Sequence, residues 1–198
     1  NSFYKNRLNY NLISLLKKGV EINHIYDIGA YKGEWSKFLS ETSLKKKQFY
    51  LFEANKSNEI FLKETKFKYF IDVLSDEVKE VNFYSLNSTG DSYYKEQTEF
   101  YKSECKPKKI TTNTLDGIIN DNKLPSPNFI KIDTQGSELD ILKGGKKVLK
   151  NCSLIYLECP VIEYNLNSPT IDQYIKFLNE NGYVPYDICE IHKLDNVL

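Results

Sequence analysis

Hydrophobic positions along the chain follow a helical period in some segments and form short continuous runs in others. The helical period predicts an N-terminal helix within residues 1–20, with an apolar face made of Tyr4, Leu8, Leu12, Leu15 and Leu16. The short runs predict strands at residues 24–30, 48–54, 69–74, 81–86, 128–133, 153–158 and 183–191. Further helical periods predict helices at residues 35–39, 55–63, 114–120, 138–150 and 171–178.

Glycine, proline and polar residues mark the ends of these elements. We expect Gly144 and Gly145 to interrupt the helix at 138–150, and Ser168 with Pro169 to start the last helix. Residues 87–113 are polar, aromatic-rich and weakly periodic, so we interpret them as a long loop. The tyrosines within 93–101 fit either an aromatic platform for a sugar or packing inside that loop.

The order of the predicted elements indicates the fold class. Strands that alternate with helices of about ten residues form βαβ units, and these units build a mostly parallel, doubly wound α/β sheet with helices on both faces. The sequence contains no internal repeat and no linker rich in glycine, serine or proline. We therefore expect residues 1–198 to form a single domain.

Composition narrows the classes of partner. The chain has 27 basic residues (lysine and arginine) and 27 acidic residues (aspartate and glutamate), and Arg7 is the only arginine. This balance argues against nucleic acid or an anionic membrane as the main partner. No apolar run approaches the ~20 residues of a membrane span, and no signal peptide is visible at the N-terminus, so we expect a cytoplasmic protein. Methionine is absent, which suggests that the chain is trimmed or excised from a longer protein.

Cysteine and histidine do not form a metal-binding pattern. Cys105, Cys152, Cys159 and Cys189 lack CxxC spacing, and the two histidines stand far apart. A structural zinc site is therefore not expected.

Candidate binding residues lie where the predicted strands end, because parallel sheets bind ligands at the carboxyl ends of their strands. The first strand runs into Asp27-Ile-Gly29-Ala30-Tyr31-Lys32-Gly33. Its glycines allow a tight turn and close packing of the next helix. The dinucleotide fingerprint GxGxxG is absent, so the turn suits a ligand without a pyrophosphate. A simple strand-to-helix turn explains this segment equally well.

The second and third strands supply further candidates. Glu53 ends the second strand, where a carboxylate can accept hydrogen bonds from ribose hydroxyls or can simply be a solvated strand end. Asp72 and Val73 end the third strand, where they can contact a nucleobase or lead into a turn at Asp76. Because Asp27 and Glu53 fall in consecutive βα units, their joint pattern is stronger than either residue alone.

Two later strands end in carboxylates that should converge on one crevice. Asp133 ends the strand at 128–133 and Glu158 ends the strand at 153–158. They can form a catalytic pair or bind a metal ion such as Mg²⁺. Glu138 lies in the first turn of the following helix, where it can cap the helix or join the site. His24 and His192 fit a packing or surface role better than a catalytic one.

The chain resembles the FkbM-type S-adenosylmethionine-dependent methyltransferases. The resemblance rests on the segments YDIGAYKGEWS, LFEAN, DVLSD, VNFY, TLDGII, IKIDTQGSELDILKGG and IYLE, in the family's order between residues 24 and 190. It implies the class I methyltransferase sheet, with strand order 3-2-1-4-5-7-6, although little sequence is left for the seventh strand. It also implies that Asp27, Gly29, Ala30, Gly33, Glu53, Asp72 and Val73 bind S-adenosylmethionine.

The activity that this resemblance implies is O-methylation of a hydroxyl on a sugar, a glycan or a related small molecule. Asp133, with Glu158 beside it, is then the expected catalytic residue, either as a general base or as a ligand of Mg²⁺. A catalytically silent binding module and a methyltransferase with a non-sugar acceptor remain as alternatives. An amino-methylating nucleic-acid enzyme is disfavoured, because residues 133–136 read DTQG in place of a Pro-Pro-aromatic tetrapeptide.

Overall fold

The centre of the protein is a sheet of five parallel strands with helices on both faces. The computed structural model describes residues 2–85, 90–97, 106–163 and 165–191. Its strands are β1 (His24–Ile28), β2 (Gln48–Glu53), β3 (Lys68–Ile71), β4 (Leu74–Ser75), β5 (Glu80–Phe83), β6 (Lys108–Thr111), β7 (Asn113–Thr114), β8 (Phe129–Ile132) and β9 (Leu154–Leu157). Its helices are α1 (Ser2–Lys17), α2 (Glu34–Glu41), α3 (Glu59–Thr65), α4 (Leu115–Asp121), α5 (Glu138–Lys143), α6 (Lys146–Leu149) and α7 (Ile171–Glu180), with a 3-10 turn at Lys56–Asn58.

The strand order β3-β2-β1-β8-β9 confirms the predicted doubly wound α/β fold. Alternate side chains of each strand point to opposite faces of the sheet, and helices cover both faces. On the first face, three helices bury a leucine each: Leu12 of α1, Leu39 of α2 and Leu62 of α3. On the second face, three others bury apolar side chains: Leu115 of α4, Ile141 of α5 and Val148 of α6.

The register of the strands brings their carboxyl ends to one edge. Ile28 of β1 pairs with Phe52 of β2 and with Ile132 of β8, which in turn pairs with Leu157 of β9. The residues that follow these strands therefore lie side by side. Backbone hydrogen bonds continue the ladder, since the Asp133 N–H donates to the Ile28 carbonyl at 3.1 Å.

The predicted strand at residues 183–191 is wrong. This segment has no regular secondary structure, and most of its apolar side chains are exposed, with Val184 at 81% and Ile188 at 65%. Pro185 removes a backbone donor that a ladder would need. Asp187 is instead bound to Arg7 and Asn11 of α1. The seventh strand of the implied sheet is not found among the described residues.

Three smaller differences have local causes. Part of the predicted loop at 87–113 is a strand, because β6 pairs antiparallel with β5. The N-cap of the last helix is Thr170 rather than Ser168, because Thr170 and Gln173 form a reciprocal capping box. The break between α5 and α6 occurs at the two glycines, as predicted, and a Cβ on Gly144 would lie 2.1 Å from the Ser75 carbonyl oxygen.

Within the described part of the chain, no helix combines the length and the apolar character that crossing a membrane requires.

Candidate active site

A cavity of about 370 Å³ opens at the carboxyl edge of the sheet, over β1, β2, β3, β8 and β9. The structure brings six of the predicted site residues to its wall: Gly29, Glu53, Asp72, Val73, Asp133 and Glu158. Asp27, Ala30 and Gly33 are not among its lining residues. Tyr31, Asp91 and Gln135 also line it, although the sequence pattern did not single them out.

Glu53 joins the loops that follow β1 and β2. Its carboxylate accepts hydrogen bonds from the Tyr31 N–H at 2.7 Å, the Asn55 N–H at 2.8 Å and the Asn58 side-chain amide at 3.2 Å. Burial raises the pKa of Glu53, and these donors act in the opposite direction. Three of the roughly four acceptor positions of a carboxylate are thus used, which leaves Oε2 with capacity for a ligand hydroxyl.

The two glycines of the first loop are required by close packing. Gly29 has φ +72°, and a Cβ at this position would lie 1.8 Å from the Asp133 carbonyl oxygen. Gly33 has φ +77° at the start of α2, where a Cβ would lie 2.7 Å from the Thr65 methyl group. The loop after β1 therefore sits directly on the end of β8 and on α3.

Gly29→Ala is expected to lower the free energy of unfolding by about 2–4 kcal/mol, because it adds the strain of a positive φ to an overlap with Asp133. Gly19→Ala is the matched control, since Gly19 has φ +87° but nothing within 4 Å of the position that a methyl group would take. It should cost only about 1–2 kcal/mol. Urea denaturation of both variants measures the difference, and equal losses would contradict the packing role.

Asp27 lies in a layer below the cavity. It belongs to β1, and its side chain points to the first face of the sheet, where it is fully buried. The Ser36 hydroxyl donates to its Oδ2 at 2.6 Å, and the Lys131 ammonium lies 3.2 Å from its Oδ1. Asp27 thus positions the loop from beneath, and the predicted contact with a cofactor stays a prediction.

Lys131 is a buried cation that connects this layer to the site. Its side chain is 6% exposed. The ammonium donates to the Gly29 carbonyl at 2.8 Å and lies 3.6 Å from the Asp133 carboxylate. Burial alone lowers the pKa of Lys131, but the charges of Asp27 and Asp133 outweigh it and raise the pKa. The lysine is therefore charged and fully engaged.

Asp133 and Glu158 form a carboxyl pair at adjacent strand ends. The Gln135 amide bridges them, with donor distances of 3.1 Å to Asp133 and 2.7 Å to Glu158. Burial and the neighbouring Asp133 charge raise the pKa of Glu158 to about 9. Desolvation opposes ionisation of Asp133, but Lys131 and the hydrogen bond from Glu158 lower its pKa. At neutral pH the pair therefore holds one proton, on Glu158, and one negative charge, on Asp133.

The turn after β8 fixes the position of this pair. Glu138 is fully buried and accepts hydrogen bonds from the Thr134 and Gly136 N–H groups and from the Tyr174 hydroxyl. The Asn165 amide donates to the Gln135 carbonyl at 2.7 Å. Gln135 consequently holds a left-handed backbone, with φ 59°, that few non-glycine residues adopt. Glu138 is a structural carboxylate of the turn.

Residues 91–93 also line the first cavity. The Asn55 amide and the Ser85 hydroxyl both donate to Asp91. The Tyr93 and Tyr94 hydroxyls both donate to Asp140 of α5, at 3.1 and 2.8 Å. Packing therefore accounts for these two tyrosines, although Tyr93 also lines the cavity. The aromatic residues at 100 and 101, and His192, lie outside the described residues.

A second cavity of about 220 Å³ lies beside the first, between α1, α2 and the C-terminal segment. Gly29, Tyr31 and Asp133 line both cavities. Ala30 faces this second cavity, together with Trp35 of α2. Asp133 thus borders both spaces.

The expectation of a bound Mg²⁺ finds no support. No group of three or more histidine, cysteine, aspartate or glutamate side chains that could hold a metal occurs in residues 2–85, 90–97, 106–163 and 165–191. Lys131 already provides a cation beside Asp133, at 3.6 Å from its carboxylate, and its positive charge would repel a second cation there.

Solved structures similar to this chain include two methyltransferases. One is the methyltransferase FkbM of Methylobacillus flagellatus KT, at 18% identity and a TM-score of 0.48 over 70% of this chain and 33% of that one. The other is the precorrin-6y C5,15-methyltransferase of Geobacter metallireducens GS-15, at 15% identity and a TM-score of 0.46 over 89% of this chain and 71% of that one. The chain thus spans a third of the length of the Methylobacillus protein.

A search of curated proteins finds no match to this sequence. The family model of the methyltransferase FkbM domain matches residues 27–185. This range begins at Asp27 and contains every residue that lines the first cavity, from Ile28 to Glu158. The chain belongs to the FkbM methyltransferase domain family.

Proposed function

We propose that the protein transfers a methyl group from S-adenosylmethionine to a hydroxyl of a sugar, a glycan or a related small molecule. The observation that carries this proposal is the cavity at the carboxyl edge of the sheet, which is lined by Glu53 and Asp72 and by the Asp133–Glu158 pair. Family membership supports the cofactor, because methyl transfer within this fold generally uses S-adenosylmethionine.

The wall of the first cavity offers suitable partners for each part of this cofactor. Glu53 has acceptor capacity for a ribose hydroxyl, and Asp72 with Val73 provides a polar and an apolar contact for the adenine ring. Burial raises the pKa of Asp72, while the Asn113 amide beside it acts in the opposite direction. The loop at Gly29 and Tyr31 lies next to Asp133, where the methionine part and its methyl group would then reach.

The chemistry needs no covalent enzyme intermediate. The acceptor oxygen attacks the methyl carbon, the carbon–sulfur bond breaks, and its electron pair stays on sulfur. The hydroxyl proton passes to the ionised carboxylate of Asp133. Holding the hydroxyl in line with the carbon–sulfur bond contributes up to about 7–11 kcal/mol in favourable systems, and the base adds about 10²–10⁴-fold.

Isothermal titration calorimetry with S-adenosylmethionine and S-adenosylhomocysteine tests the cofactor. Glu53→Gln is expected to weaken binding by about 1–3 kcal/mol, because the amide loses a charge-assisted acceptor. Glu64→Gln, on the exposed face of α3, is the matched control and should bind normally. Circular dichroism checks the fold of both variants.

No heat of binding for wild-type protein at millimolar cofactor would contradict the proposal. Acceptor candidates are then incubated with S-adenosylmethionine, and mass spectrometry looks for the gain of one CH₂. Cofactor binding without turnover on any hydroxyl would favour the alternative of a silent binding module. A methylated product that is not a sugar would support the alternative of a methyltransferase with a non-sugar acceptor.

A further inference from the structure

The second cavity has a chemical character different from that of the first. Three aromatic side chains line it: Tyr31, Trp35 and Phe38. The Trp35 ring is held in place by an edge contact with Phe129, at 5.8 Å between centroids, and by a parallel stack on Tyr156 at 6.3 Å. A rigid aromatic wall of this kind suits the apolar face of a ring-shaped ligand.

The charged groups of this cavity are mainly acceptors. Glu34, Asp133 and Glu190 contribute carboxylates, which accept hydrogen bonds from hydroxyl groups but donate none when ionised. The carboxylate of Glu190 already accepts one hydrogen bond, from the Tyr156 hydroxyl. Among the described residues that line the cavity, Lys131 is the only cation, and its ammonium is already held by Asp27, Gly29 and Asp133. Anionic ligands would therefore meet repulsion, whereas a neutral ligand rich in hydroxyls would find partners.

The position of the cavity links it to the chemistry. Asp133 lines both spaces, so a hydroxyl in the second cavity and a methyl group in the first can meet at this carboxylate. We propose that the second cavity is the acceptor subsite and that it takes an uncharged sugar ring. This assignment rests on the proposed function, and it adds a location and a charge preference for the acceptor.

The chain contains its own probe for this cavity, because Trp35 is its only tryptophan. Protein saturated with S-adenosylhomocysteine is titrated with methyl glycosides of common hexoses, and then with the corresponding hexose 6-phosphates and hexuronic acids. We expect a saturable change of tryptophan emission with at least one uncharged sugar. Its anionic counterpart should bind more weakly, by about tenfold or more.

A charge variant separates the acceptor subsite from an unspecific response. Glu34→Gln combined with Glu190→Gln should reduce the discrimination against the anionic sugar by about tenfold, because two of the repelling charges are gone. Glu41→Gln is the matched control, since Glu41 is exposed at the other end of α2 and lines neither cavity. It should leave both the emission change and the discrimination unaltered.

The outcomes distinguish this inference from the proposed function. Calorimetry reports cofactor binding first, and its failure overturns the function and the subsite together. Cofactor binding followed by no emission change with any uncharged sugar overturns the subsite alone. Titration with S-adenosylhomocysteine alone provides a further check. If it changes the tryptophan emission with the same dissociation constant that calorimetry gives, the second cavity belongs to the cofactor and the proposal is overturned. Equal binding of neutral and anionic sugars contradicts the charge preference.

Discussion

Replacing Asp133 by asparagine is expected to lower turnover by about 10²–10⁴-fold, with the dissociation constant of S-adenosylhomocysteine unchanged within a few-fold. Asparagine has nearly the same shape, but it cannot take a proton from the acceptor hydroxyl. The Lys131 ammonium keeps the wild-type carboxylate ionised, at 3.6 Å from its Oδ2. Turnover is measured on an acceptor identified by mass spectrometry, and cofactor affinity by calorimetry.

Glu158→Gln is the matched control for the pair. Glutamine can donate a hydrogen bond to Asp133, as the protonated Glu158 does in the wild type. We expect a loss of turnover of less than about tenfold, because the proton acceptor itself remains in place. Near-normal turnover of Asp133→Asn would show that the base lies elsewhere, and His192 would then be the candidate to test.

A chelation experiment distinguishes a direct base from a metal ligand at Asp133. Treatment with EDTA is expected to leave turnover unchanged, since the described side chains around Asp133 do not form a set of three or more metal ligands. Loss of turnover that added Mg²⁺ restores would contradict the direct base.

The fold could be predicted because its signals are local. Each strand of the central sheet is a short apolar run, and the register of parallel strands then brings Glu53, Asp133 and Glu158 to the same edge. The same reasoning is wrong for residues 183–191. An apolar run shows that a strand is possible, but it does not show that a neighbouring strand is available to pair with it. Its exposed side chains and Pro185 are consistent with the irregular backbone that is observed.

The sequence predicts the lining of the first cavity only where side-chain direction follows from strand position. Asp27 was placed at a strand end, but β1 continues to Ile28 and the two-residue period turns Asp27 towards Ser36, below the cavity. The local pattern does not indicate Gln135, because its left-handed backbone depends on the distant Asn165, whose side-chain amide donates to its carbonyl. Long-range contacts of this kind have no counterpart in the local pattern of the sequence.

Lys131 offers the second prediction with a large effect. Lys131→Met should lower the free energy of unfolding by about 3–5 kcal/mol, because it leaves the buried carboxylate of Asp27 without its cation. The double variant Asp27→Asn with Lys131→Met removes both charges and should recover most of this loss. Urea denaturation of the two variants and of wild type gives the comparison, and a double variant no more stable than Lys131→Met would contradict the pairing.

The double variant also tests how Lys131 affects the ionisation of Asp133, the proposed base. Lys131 is the cation beside Asp133, at 3.6 Å, whereas the neighbouring groups Glu158, Asp27 and Tyr156 carry no positive charge. Without it the pKa of Asp133 rises, so protons compete for the base up to a higher pH. The acid limb of the pH dependence of turnover should therefore move upwards in the folded double variant, by less than the one to three pH units, roughly, that a lost cation alone produces, because Asp27→Asn also removes a negative charge. An acid limb at its wild-type position would mean that Lys131 serves stability alone.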